Sequence, residues 1–417
     1  MTKGLAALAT SIDSWAAAAQ FDEQLTVFRQ NASFRLGLSD GTNAVTLELG
    51  YDVVSPTDGA PDLTLMAPSD AWAQLLSRAP AATMHHFLAM RMRVPGVRID
   101  GEELLFAQHA HIIRRLLEIA RGVVDAPVER AADPRIDRSR IEAFYVSTTL
   151  EGSSTDLYVE RAGTGTGAPI LLLHTAGADG RQAHPLMSDI ELTSRHPVYA
   201  FDLPGHGRSA QLPGPIGSWT LTPERYAESI LSVIGALDLD RPILLGASMA
   251  GEACLMMAHR APERLGGVIA CEASDHVPGR VTPWAGHHEV NEMLFVPEWI
   301  DGLIGPAAPA SMRSQILHTY GQGGHRTFAG DIDFYSGGWD GREIVADIDT
   351  AKCPVIMMTG EYDYSCTPEM SEATAGKIHG AHYWTMPGLG HFPICEHPAA
   401  FRPHLERALS LIGEKSG

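Results

Sequence analysis

Basic residues are scarce in this chain. Lys and Arg number 31 against 50 Asp and Glu, a formal net charge of −19. Polyanionic partners need a basic face, so this balance argues against nucleic acid and anionic membrane surfaces and favours a neutral small molecule. Cysteine is sparse too: Cys254, Cys271, Cys353, Cys366 and Cys395. Their odd number and scatter make neither a disulfide framework nor a paired metal motif. Buried reduced thiols are expected instead, and with them a cytoplasmic location. No apolar run is long enough to span a bilayer, so stable membrane insertion is not expected. Residues Met1 to Gln20 hold an alanine-rich stretch broken by Asp13 and Ser14, which reads as a helix rather than a signal peptide. Internal repeats and low-complexity tracts are absent. What is there is an ordinary globular composition, 45% hydrophobic, which suffices for full cores. A length of 417 residues implies two or three domains.

Ser248 stands out. It lies in Gly246-Ala247-Ser248-Met249-Ala250-Gly251, after the apolar run Ile243-Leu244-Leu245 and before helix-like sequence from Glu252 to His259. A buried strand turning sharply into a helix lifts a serine hydroxyl clear of the backbone, so that a base can reach it from one side and a carbonyl carbon from the other. Small neighbours are needed where the turn crowds strand and helix, and Gly246 and Gly251 supply them. Ala250 breaks the strict G-x-S-x-G string. Asp363 follows the strand-like Pro354–Met358, and His391 lies in Pro387-Gly388-Leu389-Gly390-His391-Phe392-Pro393. A serine hydroxyl needs a base to take its proton. An imidazole can take the proton and return it. A buried carboxylate fixes the imidazole tautomer and stabilises its charged form. Glu272, after Cys271, is the alternative acid.

With these stretches, and with Leu171-Leu172-Leu173-His174-Thr175-Ala176-Gly177 and Asp202-Leu203-Pro204-Gly205-His206-Gly207-Arg208-Ser209, residues 141–411 resemble the α/β-hydrolase superfamily. The second stretch matches a D-x-P-G-H-G-x-S turn. In the first, Thr175 replaces the customary glycine. The resemblance implies an α/β-hydrolase fold with a mostly parallel sheet, and Ser248, Asp363 and His391 as catalytic triad. It also implies Met249 N–H and Ala176 N–H as oxyanion donors, with Thr175 N–H as the fallback. His174 and His206 would brace their loops. Strands are expected at Glu142–Thr148, Leu157–Arg161, Ile170–His174, Val198–Asp202, Ile243–Gly246, Gly267–Cys271, Val355–Thr359 and His382–Met386. A cap of about residues 273–349, rich in aromatics, is expected after the sixth strand. Thr175, Trp284 and Phe392 are candidate substrate-binding residues, and Arg181 and Gln182 are candidates for steering a polar substrate group. His287-His288-Glu289 looks like a metal fragment without a matching ligand set, so no metal and no cofactor is expected.

Residues 122–140, rich in Pro, Asp and Arg, read as a linker. Before them, residues 33–38 and 44–49 alternate with period two around Asp40-Gly41-Thr42-Asn43, a hairpin pattern. A strand at Asp62–Met66 follows, then a helix capped by Ser69 and Asp70. A strand at Val97–Gly101 precedes an amphipathic helix with Ala110, Ile113 and Leu116 on one side. Residues 20–121 thus resemble a sterol-carrier-protein-2-like α+β domain, which implies an apolar lipid tunnel. An accessory unit used for assembly, through which the chain forms a homo-oligomer, is the competing reading.

The reading that follows is a serine hydrolase cleaving an ester, lactone or related carbonyl compound of a small, largely apolar substrate through an acyl-enzyme. Carbon–carbon hydrolysis, thioester cleavage and acyl transfer use the same parts. A non-catalytic ligand-binding or lipid-carrier protein is the alternative from another class.

Overall fold

The computed structural model describes residues 4–30 and 32–416. They form two compact units. One holds the chain as far as Arg130 together with His287–Gly302; the other holds Ala131–Gly286 and Leu303–Gly417.

The first unit is built on a five-stranded sheet: β1 (Phe34–Ser39), β2 (Ala44–Leu49), β3 (Val54–Pro56), β4 (Leu63–Met66) and β5 (Arg98–Gly101), in the order β3-β2-β1-β4-β5. β1 and β2 make the expected hairpin, with Phe34 opposite Leu49 and Ser39 opposite Ala44. β1 runs parallel to β4, so the sheet is mixed. In β2, Val45, Leu47 and Leu49 are buried while Ala44 and Glu48 face water, as period-two alternation requires. The helix Glu103–Val124 buries Phe106, Ala110, Ile113, Leu116 and Ala120, and Trp15 and Trp72 complete the core with β1.

Two details depart from the sequence reading. The helix Ser69–Leu75 takes Pro68 as its cap residue, without a side-chain cap bond. Ser69 and Asp70 lie inside the first turn, where Asp70 complements the positive end of the helix dipole. A helix at Phe87–Arg93 went unpredicted; its cap is His86, whose Nδ1 accepts the Leu88 N–H at 3.2 Å, and histidine is not a usual cap signal.

Residues 287–302, read from the sequence as part of the cap, pack within the first unit. The helix Glu292–Asp301 buries Phe295, Val296 and Ile300. Its Glu298 accepts two hydrogen bonds from Arg114, at 2.5 and 3.1 Å, and Glu118 and Asp301 also face that guanidinium at 2.9 and 3.7 Å. A buried arginine needs such partners to remain charged away from water.

The second unit carries eight strands: β6 (Glu142–Leu150), β7 (Ser153–Ala162), β8 (Ile170–Leu173), β9 (Val198–Phe201), β10 (Ile243–Ala247), β11 (Gly267–Cys271), β12 (Val355–Gly360) and β13 (His382–Met386). Their order is β13-β12-β11-β10-β8-β9-β7-β6. Pairing is parallel from β13 to β9, then antiparallel to β7 and β6. Every residue of β8, β10, β11 and β12 is buried, as in a sheet covered on both faces. All eight expected strands are present, and the long insertion follows the sixth of them, β11. Ligands in such sheets bind outside the carboxyl ends of the parallel strands, and the candidate residues gather there.

Candidate active site

Ser248 stands between β10 and the helix Met249–Arg260 with φ 61° and ψ −129°. A non-glycine residue in this region is strained, and the surroundings must hold it. They do so through the Ser248 N–H, which donates to the Cys271 carbonyl at 3.0 Å, and the Ser248 carbonyl, which accepts from Glu252 N–H at 2.9 Å. A Cβ at Gly246 would sit 2.6 Å from the Ala250 carbonyl oxygen, and one at Gly251 would run into the Cys271 carbonyl. The small residues are therefore steric requirements of the turn. Ala250 is fully buried where the strict motif has glycine, and a methyl group fits there.

Asp363 follows the end of β12 by three residues. Its Oδ1 accepts the N–H groups of Ser365 (2.7 Å) and Cys366 (3.3 Å), and its Oδ2 meets His391 Nδ1 at 2.7 Å. This contact makes Nδ1 the donor and leaves Nε2 available as a base. His391 N–H donates to the Leu303 carbonyl at 2.8 Å. The neighbouring Gly390 and Phe392 N–H groups both donate to the buried carboxylate of Glu396. Tyr335 and Phe392 meet the imidazole edge-on at 6.2 and 5.1 Å between ring centroids. The Ser248 hydroxyl makes no hydrogen bond among the described residues; such contacts often tighten only when substrate is bound.

Glu272 closes β11 with φ 51° and no exposure to solvent. Both its oxygens accept the Gly360 N–H at 3.0 Å, and oxygens of Glu272 and Asp363 and a nitrogen of His391 lie within 4.8 Å of one another. Burial, and then the charge of Asp363, push the Glu272 carboxyl well above the usual carboxylate range, so it is held as the neutral acid. The imidazole's hydrogen bond goes to Asp363.

The loop after β8 arranges three consecutive N–H groups differently. Thr175 N–H donates to Gln182 Oε1 at 2.9 Å and Gly177 N–H to Asp331 Oδ2 at 2.7 Å. Ala176 N–H, between them, has no acceptor among the described residues, and neither has Met249 N–H at the start of the elbow helix. The fallback donor, Thr175 N–H, is thus occupied. Its hydroxyl is engaged too, with Tyr320 Oη at 2.7 Å and Gln182 Nε2 at 2.8 Å. Gln182 is committed to bracing this loop, and Arg181 is held by Asp179 and Gln322. Neither is free to steer a substrate, contrary to the sequence reading.

The two histidines serve as braces. His174 Nδ1 donates to the Thr175 carbonyl at 2.9 Å and its Nε2 accepts Leu203 N–H at 3.1 Å, the pattern of a neutral ring. Burial and the neighbouring His206 bring its pKa down to about 4. His206 donates from both nitrogens, to the Pro204 carbonyl (3.1 Å) and to Asp331 Oδ2 (2.9 Å), the pattern of a charged ring. Burial opposes that charge, but Asp331 outweighs it and holds the pKa above the usual value.

Of the candidate substrate-binding residues, Phe392 is buried beside His391 and packs edge-on against Tyr320 at 5.8 Å. Trp284 is half-buried, its backbone N–H on Thr282 Oγ1 at 3.3 Å. His288 and Glu289 lie exposed, 3.8 Å apart, as a solvated loop pair would. Asp331 went unnoticed in the sequence, and Tyr320 was read only as one of the aromatics of the insertion, some of which were expected to line the pocket. Each sits in the long insertion without local motif, and only the folded chain brings it to the loop after β8. All five cysteines are buried and unpaired. No helix among the described residues is long and apolar enough to cross a membrane.

A family model described as "Alpha/beta hydrolase family" matches residues 170–403, a span that contains Ser248, Asp363, His391, Ala176 and Met249. Among solved structures, an esterase from Thermogutta terrifontis is similar with a TM-score of 0.53 at 23% identity, over 65% of this chain and 99% of its own. An enol-lactonase from Burkholderia xenovorans LB400 is similar with a TM-score of 0.54 at 21% identity, over 63% of this chain and 99% of its own. At these identities the likeness speaks for the fold alone. A curated protein, the dihydrolipoyllysine-residue acetyltransferase component of an acetoin cleaving system from Pseudomonas putida, is 33% identical over 108 residues, or 26% of this chain. The match spans 27% of that protein's length.

Proposed function

Since the chain belongs to the α/β hydrolase family, we propose that it is a serine hydrolase that cleaves esters or lactones through an acyl-enzyme. The observation that carries this reading is the 2.7 Å contact between His391 Nδ1 and Asp363 Oδ2 in the same unit as the strained elbow of Ser248. In the proposed reaction Ser248 Oγ attacks the substrate carbonyl carbon and its proton passes to His391 Nε2. The negative oxygen of the tetrahedral intermediate is received by Ala176 N–H and Met249 N–H. Collapse breaks the bond to the alcohol oxygen, which leaves with the proton from Nε2. A water molecule then attacks the acyl carbon, giving its proton to Nε2, and the acid leaves as the proton returns to Ser248. Asp363 orients the ring throughout. Tyr335 and Phe392 beside His391, and Tyr320 beside Phe392, favour a small, largely apolar substrate. Acyl transfer to an acceptor other than water uses the same parts. The acetyltransferase relative is the observation in its favour, and products formed with and without added alcohol or thiol would separate the two.

The test is Ser248→Ala in the full chain. Wild-type protein is expected to react with a fluorophosphonate probe at Ser248 and to turn over some of a panel of p-nitrophenyl esters and lactones. The variant should keep its fold and lose at least about 10⁴-fold in kcat. Full activity in the variant, or no labelling and no turnover in the wild type, ends the serine-hydrolase reading.

For the first unit we propose assembly rather than lipid carriage. Phe21, Val27, Tyr51 and Val53 are all exposed there. Hydrogen bonds from Gln20 Nε2 to Asp52 and from Arg29 to Gly50 and Tyr51 bring their two segments together. Clustered exposed apolar side chains are a usual mark of an interaction surface. The buried thiols make a reducing, cytoplasmic compartment part of the same proposal.

A further inference from the structure

We propose that Asp331, on the helix Thr327–Asp333 of the insertion, is a positioning residue for the oxyanion hole: it pins the loop after β8 so that Ala176 N–H faces the reacting carbonyl oxygen. The inference rests on the serine-hydrolase reading and deepens it.

Asp331 is fully buried and has three N–H donors. Gly177 N–H (2.7 Å) and His206 Nε2 (2.9 Å) meet Oδ2, and Trp219 Nε1 (2.7 Å) meets Oδ1. The loop is therefore fastened on both sides of Ala176: at Thr175 by Gln182 and Tyr320, and at Gly177 by Asp331. Fastening the Gly177 N–H fixes the plane of the Ala176–Gly177 peptide and with it the backbone of Ala176. The helix is itself docked on the loop. Gly177 has φ +68°, and a Cβ there would come 2.9 Å from Phe328 on the same helix. The Gly330 carbonyl accepts Leu221 N–H at 3.1 Å. The charge on Asp331 is kept despite burial, which pushes its carboxyl up. The charged His206 and the N–H groups of His206, Gly177 and Trp219 together hold it below the usual range. Charge-assisted acceptors make stronger and better directed hydrogen bonds than neutral ones. The insertion thus takes part in preorganising the hole.

Asp331→Asn tests this in the full chain. The amide keeps one acceptor oxygen and places an NH2 group where a second set of N–H donors must be received, so one anchor is lost. Because a lost oxyanion donor costs about 10²–10³ in kcat, a misplaced one is expected to cost roughly 10². KM should stay within about threefold, and the pH dependence of kcat/KM should be unmoved. Affinity for an aryl trifluoromethyl ketone, which forms an oxyanion on Ser248, should fall in parallel with kcat. A purely structural role would not produce that parallel. If Asp331→Asn does not fold, Trp219→Phe decides, since it removes the Oδ1 donor and keeps an aromatic ring beside His206 and Arg225; a fall in kcat of about fivefold or more at unchanged KM is expected. An active, probe-labelled wild type whose folded variant keeps kcat within threefold, loses only KM, or loses kcat without loss of ketone affinity overturns this inference alone. A wild type that neither labels nor turns over esters overturns the serine-hydrolase reading, and the inference falls with it.

Discussion

Replacing Glu272 by Gln should cost less than about tenfold in kcat/KM, whereas Asp363→Asn should cost about 10⁴. The two carboxyls lie close together, and both oxygens of Glu272 face one N–H, that of Gly360. Because Glu272 is held neutral, glutamine replaces one uncharged group by another of the same shape. Its oxygen still accepts the Gly360 N–H, and its NH2 can donate to Asp363 as the acid proton does. Asp363→Asn instead removes the charge facing His391 Nδ1 and turns a donor toward a donor, which selects the wrong tautomer. At about 1.4 kcal/mol per tenfold, 10⁴ is about 5.5 kcal/mol of transition-state stabilisation. Stability gives a second readout. A folded pKa raised above the unfolded value means that the folded chain holds a proton which the unfolded chain has released. That stabilisation is complete below the unfolded pKa, near 4.3, and is lost as pH rises, by at most about 1.4 kcal/mol per pH unit. Glutamine has nothing to release, so Glu272→Gln should gain stability relative to wild type between pH 5 and pH 8. Steady-state kinetics on a p-nitrophenyl ester and urea melts across that pH range measure both. A loss above 10³ in Glu272→Gln with less than tenfold in Asp363→Asn would show that the acid sits on β11. A relative stability that stays flat across that range would show that Glu272 is ionised in the fold.

Further predictions concern the first unit. Arg114→Met leaves Glu298 and Asp301 buried without their cation and should cost about 3–5 kcal/mol in urea unfolding, while Arg114→Met with Glu298→Leu should recover part of it; equal stability of the single variant and wild type refutes the buried network. A chain starting near Asp133 lacks the first unit but keeps residues 287–302, stripping Phe295, Val296 and Ile300 of their packing. It should aggregate on size-exclusion chromatography, with its soluble fraction still labelled at Ser248; a monodisperse truncated protein refutes this. Phe21→Ser with Tyr51→Ser should lower the mass measured by sedimentation, and an unchanged mass rules out assembly through that patch.

Periodicity made most of the second unit legible. Continuous apolar runs of four to six residues mark the fully buried parallel strands β8, β10, β11 and β12, and all eight expected strands of the sheet appear. The elbow was legible because its steric needs fix residue types: Gly246 and Gly251 cannot carry a side chain. The insertion was not. Its segment 287–302 reads as one more aromatic stretch, and nothing local says that Glu298 answers an arginine 184 positions earlier. The same holds for Asp331, whose donors come from Gly177, His206 and Trp219, 154, 125 and 112 positions away. The helix at Phe87–Arg93 was missed for a different reason, the absence of a usual cap.

Three buried acids of the second unit show why residue type alone could not assign their roles. Asp331, Glu272 and Glu396 all lie fully out of water, where burial favours the neutral form of each. What separates them is the company they keep. Asp331 has three N–H donors, one on a charged imidazole, and stays ionised. Glu396 has the backbone N–H groups of Gly305, Gly390 and Phe392 but no cation, and burial brings it to about 7. Glu272 has one N–H and a carboxylate neighbour, and is held as the acid. Donor count and neighbouring charge therefore order the three: a fixed anion for the loop after β8, a group near its midpoint beneath the His391 loop, and a neutral donor beside Asp363. Glu272 and Asp331 lie at the start of and within the connection from β11 to β12, and Glu396 follows β13, so the charge state that suits each place is a property of the fold and appears only when the strands have brought those N–H groups together.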